Sequence, residues 1–117
     1  MIAIILCLIV AAVHAYFVVL EMFRWEHPRT RKVFGLSAEL AAETKVMAAN
    51  QGLYNGFLSA GILFALWQGD AGFAMLVFLL LCVVVAGIYG GLTATKAAFI
   101  AQTIPATLAL IAVFADI

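Results

Sequence analysis

The sequence predicts an all-α fold: an integral membrane four-helix bundle with both termini outside and a partly helical cytoplasmic loop over 24–44. Three observations carry this expectation. Hydrophobic residues make up 68% of the 117 and charged residues 10%, with a mean hydropathy of +1.21, whereas a soluble domain is about half apolar and about a quarter charged. Four apolar runs, at about 2–23, 46–67, 72–92 and 97–115, approach the ~20 residues that cross a bilayer. All six Lys and Arg residues fall in the first and third connections or at their edges. Little chain is left over, so 1–117 reads as a single membrane domain with helices over about 2–23, 38–67, 72–92 and 97–115.

The first run is expected to be a retained helix. A secretory signal needs a positive region ahead of its apolar core, and no Lys or Arg precedes this one, although Val13-His14-Ala15 offers a weak cleavage site. Pro28 disfavours helix at His27 and ends the first helix near there. In the loop that follows, Arg29, Arg31 and Lys32 face anionic headgroups, with Trp25 and Phe34 as interfacial anchors. Gly35 permits a turn, and Ser37 is a suitable N-cap for a second helix that starts at the interface and continues into the membrane. Glu39 falls in its first turn, where the helix dipole favours an anion.

The turn 68–72 carries no cation, whereas Arg24, Arg29, Arg31, Lys32 and Lys45 lie between helices one and two and Lys96 between three and four. The positive-inside rule therefore places the first and third loops in the cytoplasm. Helices three and four form a hairpin around "YGGLTATK", with Thr93 or Thr95 as cap of the fourth helix. Pro105 is expected to kink that helix. Cys7 and Cys82 form no CxxC and read as small buried hydrophobes, against a thiol oxidoreductase.

Functional candidates cluster in helices one and two. Asn50, Gln51, Tyr54 and Asn55 span about 140° of the second helix, at about 100° per residue. Ala48, Gly52, Gly56 and Ala60 form a small-residue ridge on its other side, and Gly87-x-x-x-Gly91 a second one on helix three; such ridges let helices approach closely in lipid. Cys7, His14 and Glu21 recur every seven residues on one face of the first helix, continued by Trp25. In the predicted topology Glu21, Asn50, Gln51, Tyr54, Asn55, Tyr89 and Gln102 share the cytoplasmic half, with His14 near the midplane. A one-sided polar cavity follows, because the outer half carries only weakly polar groups such as Cys7, Ser59 and Thr107. The plainer alternatives are interhelical hydrogen bonding, worth on average only ~0.6 kcal/mol in membranes, and for Glu21 an ion pair with Arg24 or Lys45.

The strings "LEMFRW" (20–25), "KVFGLS" (32–37) and "ETKVMAANQGLYNGFLSAG" (43–61) resemble a bacterial membrane family known as domain-of-unknown-function family 1304. The resemblance covers nearly the whole chain. It implies a four-helix integral protein of the bacterial inner membrane, and some members carry the label epimerase. It picks out Glu21, Trp25, Asn50, Gln51, Tyr54 and Asn55 as motif positions and leaves His14 outside them.

The expected function is binding or transport of a small amphiphilic or lipid-like ligand. Glu21, Trp25, Asn50, Gln51, Tyr54, Asn55, Tyr89 and Gln102 would line its site, with proton exchange at Glu21 or His14. A transporter this small would work as a homodimer. The alternatives are an intramembrane isomerase with His14 and Glu21 as the catalytic acid–base pair, and a structural subunit of a membrane complex. No cofactor or metal is expected, since His14 has no second histidine at i+3 or i+4. No nucleic-acid partner is expected either; the partners are membrane lipid and the ligand.

Overall fold

A computed structural model describes residues 1–117. The chain is all-α, with five helices and no strand. Helix α1 is α-helical over Ile2–Val18 and widens into a π-helical turn over Val19–Phe23. Helix α2 is Pro28–Phe34 and α3 is Ala38–Trp67. A 3₁₀ turn, Gly69–Gly72, leads into α4, Phe73–Thr93. Helix α5, Lys96–Phe114, opens with one α-turn, passes through a π-helical turn at Phe99–Thr103 and ends as α-helix over Ile104–Phe114.

Local chemistry explains these boundaries. The His27 side chain accepts a hydrogen bond from the Arg29 amide at 3.2 Å, and Pro28 occupies the first turn of α2, where a missing N–H costs nothing. Gly35 ends that helix at φ 67°, a left-handed conformation that favours glycine, and the Leu36 amide returns to the Arg31 carbonyl at 2.8 Å. Ser37 Oγ then accepts from the Leu40 amide at 3.1 Å and starts α3. Of the two threonines considered as cap for α5, Thr95 takes the role by accepting from the Ala97 amide, while Thr93 donates back to the Tyr89 carbonyl. Pro105 cannot donate to the carbonyl four residues earlier, and its ring would clash with it. The π-helical turn immediately before Pro105 opens the helix at that carbonyl.

Three helical segments, Ile2–Phe23, Gly69–Thr93 and Lys96–Phe114, are long and apolar enough to cross a membrane. The run expected at 46–67 lies inside α3 and is not among them. Its 30 residues extend about 45 Å, ample in length, but Asn50, Gln51 and Asn55 dilute its apolar character.

Two compact units make up the chain. Met1–Val13 with Leu58–Ile117 is built on an apolar core that includes Cys7, Val10, Ile62, Leu80, Val83 and Ala109. Within it Ser59 Oγ donates to the Ala11 carbonyl at 2.9 Å, satisfying a hydroxyl that would otherwise be orphaned. The Ala3 amide, one of the unpaired donors that open α1, bonds the Ile117 carbonyl at 2.9 Å. Cys7 is fully buried in this core and Cys82 half-buried, both as free thiols.

The second unit, His14–Phe57, combines the end of α1, all of α2 and the front of α3. Its buried residues include His14, Leu20, Glu21, Thr30, Ala41 and Ala48.

Candidate functional site

The unit His14–Phe57 holds most of the candidate residues. Glu21 lies in the π-helical turn that ends α1 and is only 7% exposed. Its Oε1 accepts a hydrogen bond of 2.7 Å from Asn55 Nδ2 on α3. The same amide nitrogen also donates to the Gln51 carbonyl at 3.3 Å. Gly52 makes the approach possible, because a Cβ built there would lie 3.0 Å from the Glu21 Cβ and 2.7 Å from Met22 Cγ. The carboxyl and the carboxamide thus meet where α3 has no side chain to hold the helices apart.

The ion pair considered for Glu21 does not form. Lys45 Nζ sits 3.4 Å from Glu26 Oε1 instead, at the exposed end of α1, and no Lys or Arg lies within pairing distance of Glu21. The reason is depth: Glu26 and Lys45 extend into solvent from exposed positions, whereas Glu21 is enclosed by the helices.

Trp25 follows the π-helical turn and anchors the loop. Its indole Nε1 donates to Thr44 Oγ1 at 3.0 Å, and Thr44 Oγ1 donates onward to the Leu40 carbonyl at 2.7 Å. The indole also packs on Phe34, ring centres 4.9 Å apart. Trp25→Phe is expected to cost about 0.5–1.5 kcal/mol, the net value of one such hydrogen bond, with Thr44→Val costing no more in the Trp25→Phe background. Thermal unfolding of the two single variants and the double variant in detergent measures this, and additive losses would show the bond to be idle.

The remaining candidates divide. His14 is completely buried, with Phe17 edge-on at 6.1 Å. Asn50, Gln51 and Tyr54 are exposed on the single chain, Tyr54 by 57%, with its ring edge-on to Phe57. Of the four polar residues of α3, Asn55 is the one whose side chain bonds the carboxyl of Glu21. Tyr89, 71% exposed, and Gln102, half-buried in the second π-helical turn, belong to the other unit. Thr44 was missed by sequence reasoning, and the available signal was its position one turn after Leu40 and near the level of Trp25. The π-helical turns were missed as well. They are rare and occur often at functional sites, and here one carries Glu21 and the other Gln102.

A family model described as "Protein of unknown function (DUF1304)" matches residues 8–114. The chain belongs to this family. All the candidate residues fall within the matched segment of the DUF1304 chain. It is similar to the uncharacterized protein YpaA of Lactococcus lactis subsp. lactis (strain IL1403), at 34% identity over 113 residues and 95% of each chain. No solved structure matches it.

Proposed function

We propose that this protein crosses the bacterial inner membrane four times, with both termini outside, and binds or carries a small amphiphilic or lipid-like molecule at Glu21 and Asn55. The observation that carries this reading is a buried carboxyl whose partner is a carboxamide, set in an apolar helix at a π-helical turn. Ionisable groups at membrane depth cost at least ~2.5 kcal/mol to insert, so structure alone gives little reason to keep one. The carboxyl can exchange a proton, and the Asn55 amide can be offered to a ligand in its place.

Several features support the topology. Three segments are apolar enough to span, and α3 supplies a fourth crossing by length. Four crossings return the chain to its starting side, in keeping with the Ala3–Ile117 hydrogen bond between the two ends. The cations then all lie on the inner side. The exposed face of Asn50, Gln51 and Tyr54 suits either the polar part of the ligand or a second copy of the chain.

An isomerase is the second reading, and the burial of both His14 and Glu21 favours it. Seven helical residues separate them by about 10.5 Å, room for a substrate between acid and base.

The test is mass spectrometry of small molecules retained by the protein in native lipid patches. Glu21→Gln and Asn55→Leu are expected to lose a molecule that the wild type enriches, while Asn50→Ala/Tyr54→Ala keeps at least part of it. Equal retention by wild type and Glu21→Gln sinks the Glu21 site. Release of a chemically altered product, abolished by His14→Ala, selects the isomerase.

A further inference from the structure

The end of α1 also forms an open cleft of about 320 Å³, with Lys45 of α3 among its lining residues. That volume lies at the small end of ligand pockets, which run from about 300 to 1,000 Å³. Met22 and Phe23 give it an apolar edge, and Arg24, Trp25 and Glu26 line its polar part. We propose that this cleft binds a phosphate-bearing anion, the headgroup of an acidic phospholipid or a free phosphate ester of the same chemistry. The site is distinct from the Glu21–Asn55 pair and stands if that reading fails.

Charge and geometry favour an anion. Lys45 and Glu26 pair at 3.4 Å and largely cancel, which leaves the Arg24 guanidinium as the surplus charge with no acidic side chain within pairing distance. A guanidinium offers paired N–H donors that match two phosphate oxygens, and Lys45 retains donors beyond the one given to Glu26. The C-terminal end of α1 opposes an anion with about half a negative charge, less than the surplus positive charge. The basic run Arg29, Arg31 and Lys32 adds to the positive field.

Position favours a headgroup. The cleft begins at the last residues of an apolar segment, Ile2–Phe23, so it sits at the level where hydrocarbon gives way to phosphate. Phe23, 75% exposed, would rest among acyl chains while Arg24 meets the phosphate. Trp25 is held by Thr44 and Phe34, and so forms a fixed wall.

Trp25 is also the reporter. The chain has two tryptophans, and Trp67 is 80% exposed and far along α3, so a Trp67→Phe background isolates Trp25. The protein would be placed in phosphatidylcholine nanodiscs and titrated with increasing phosphatidylglycerol, following Trp25 emission. A saturable change is expected, about ten-fold weaker in Arg24→Gln, tighter in Glu26→Gln, and weakened far less in Arg29→Gln. Glycerol phosphate added to phosphatidylcholine discs distinguishes the sources: saturation by it supports a free ester, and a response confined to phosphatidylglycerol supports the lipid. Equal weakening by Arg24→Gln and Arg29→Gln would reduce the effect to the general basic field and overturn the site. A Trp25 signal that responds to neither probe overturns it as well.

Discussion

Gly87→Ala is expected to lower the stability of the folded chain by about 1–3 kcal/mol, whereas Gly56→Ala is expected to raise it by about 0.5–1 kcal/mol. Both glycines are helical, so propensity alone predicts a gain at each, because alanine loses less backbone entropy in a helix. Their surroundings separate them. A Cβ on Gly87 would collide with Thr103 Oγ1, come within 2.7 Å of the Thr103 amide nitrogen and reach 3.0 Å from Gln102 Cβ. The amide belongs to the backbone of the π-helical turn, and Thr103 Oγ1 is already committed to the Val84 carbonyl at 3.1 Å, so no rotamer change relieves the clash. A Cβ on Gly56 would meet only Val18 Cγ2, at an ordinary 3.5 Å. Denaturant or thermal unfolding in one detergent, with Gly87→Leu as the more severe variant, gives the comparison. A gain in stability for both alanine variants would mean that propensity, not helix contact, governs these sites.

The same contrast shows what the sequence pattern can convey. The helical character and three strongly apolar spans were legible because a membrane span is a bulk property of about 20 residues. Ser37, Pro28 and Gly35 were legible as boundary signals because each acts through its own backbone or a near neighbour. The π-helical turns were not, since inserting one residue into a turn leaves hydropathy unchanged. Pro105 marks the second in retrospect, and nothing comparable marks the first.

Helix α3 shows where face assignments become insecure. Residues four apart advance by about 40° beyond a full turn, so a ridge of i, i+4 positions winds around the helix. Along the four small residues, Ala48 and Gly52 are buried, Gly56 is half-buried and Ala60 is exposed on the single chain. Residues seven apart drift only about 20°, and Ala41 and Ala48 are accordingly both buried. Asn55 lies next to that line and reaches Glu21, while Asn50 lies nearly half a turn from it and is exposed. Within the single chain, the edge of that arc of about 140° is the part that bonds Glu21.

That edge gives the second large effect. Asn55→Leu is expected to destabilise the chain by about 1–3 kcal/mol, and Glu21→Leu by clearly less, an asymmetry that follows from the acceptors available to each group. Glu21 has only the Asn55 amide as hydrogen-bond partner, so losing Asn55 strands a carboxyl that is 7% exposed. Asn55 has a second acceptor in the Gln51 carbonyl at 3.3 Å, so losing Glu21 leaves its amide nitrogen bonded. The double variant Glu21→Leu/Asn55→Leu removes both polar groups and should recover much of the Asn55→Leu loss, since a matched apolar pair leaves nothing unsatisfied. Unfolding of the four proteins of this cycle in one detergent measures the coupling. Strict additivity would mean that the 2.7 Å contact contributes nothing in the membrane mimetic. Strong coupling with the predicted asymmetry would mean that Glu21 depends on a single donor. A ligand able to replace that donor could then bind without leaving the carboxyl unsatisfied, which is the condition that binding or carriage at this site requires.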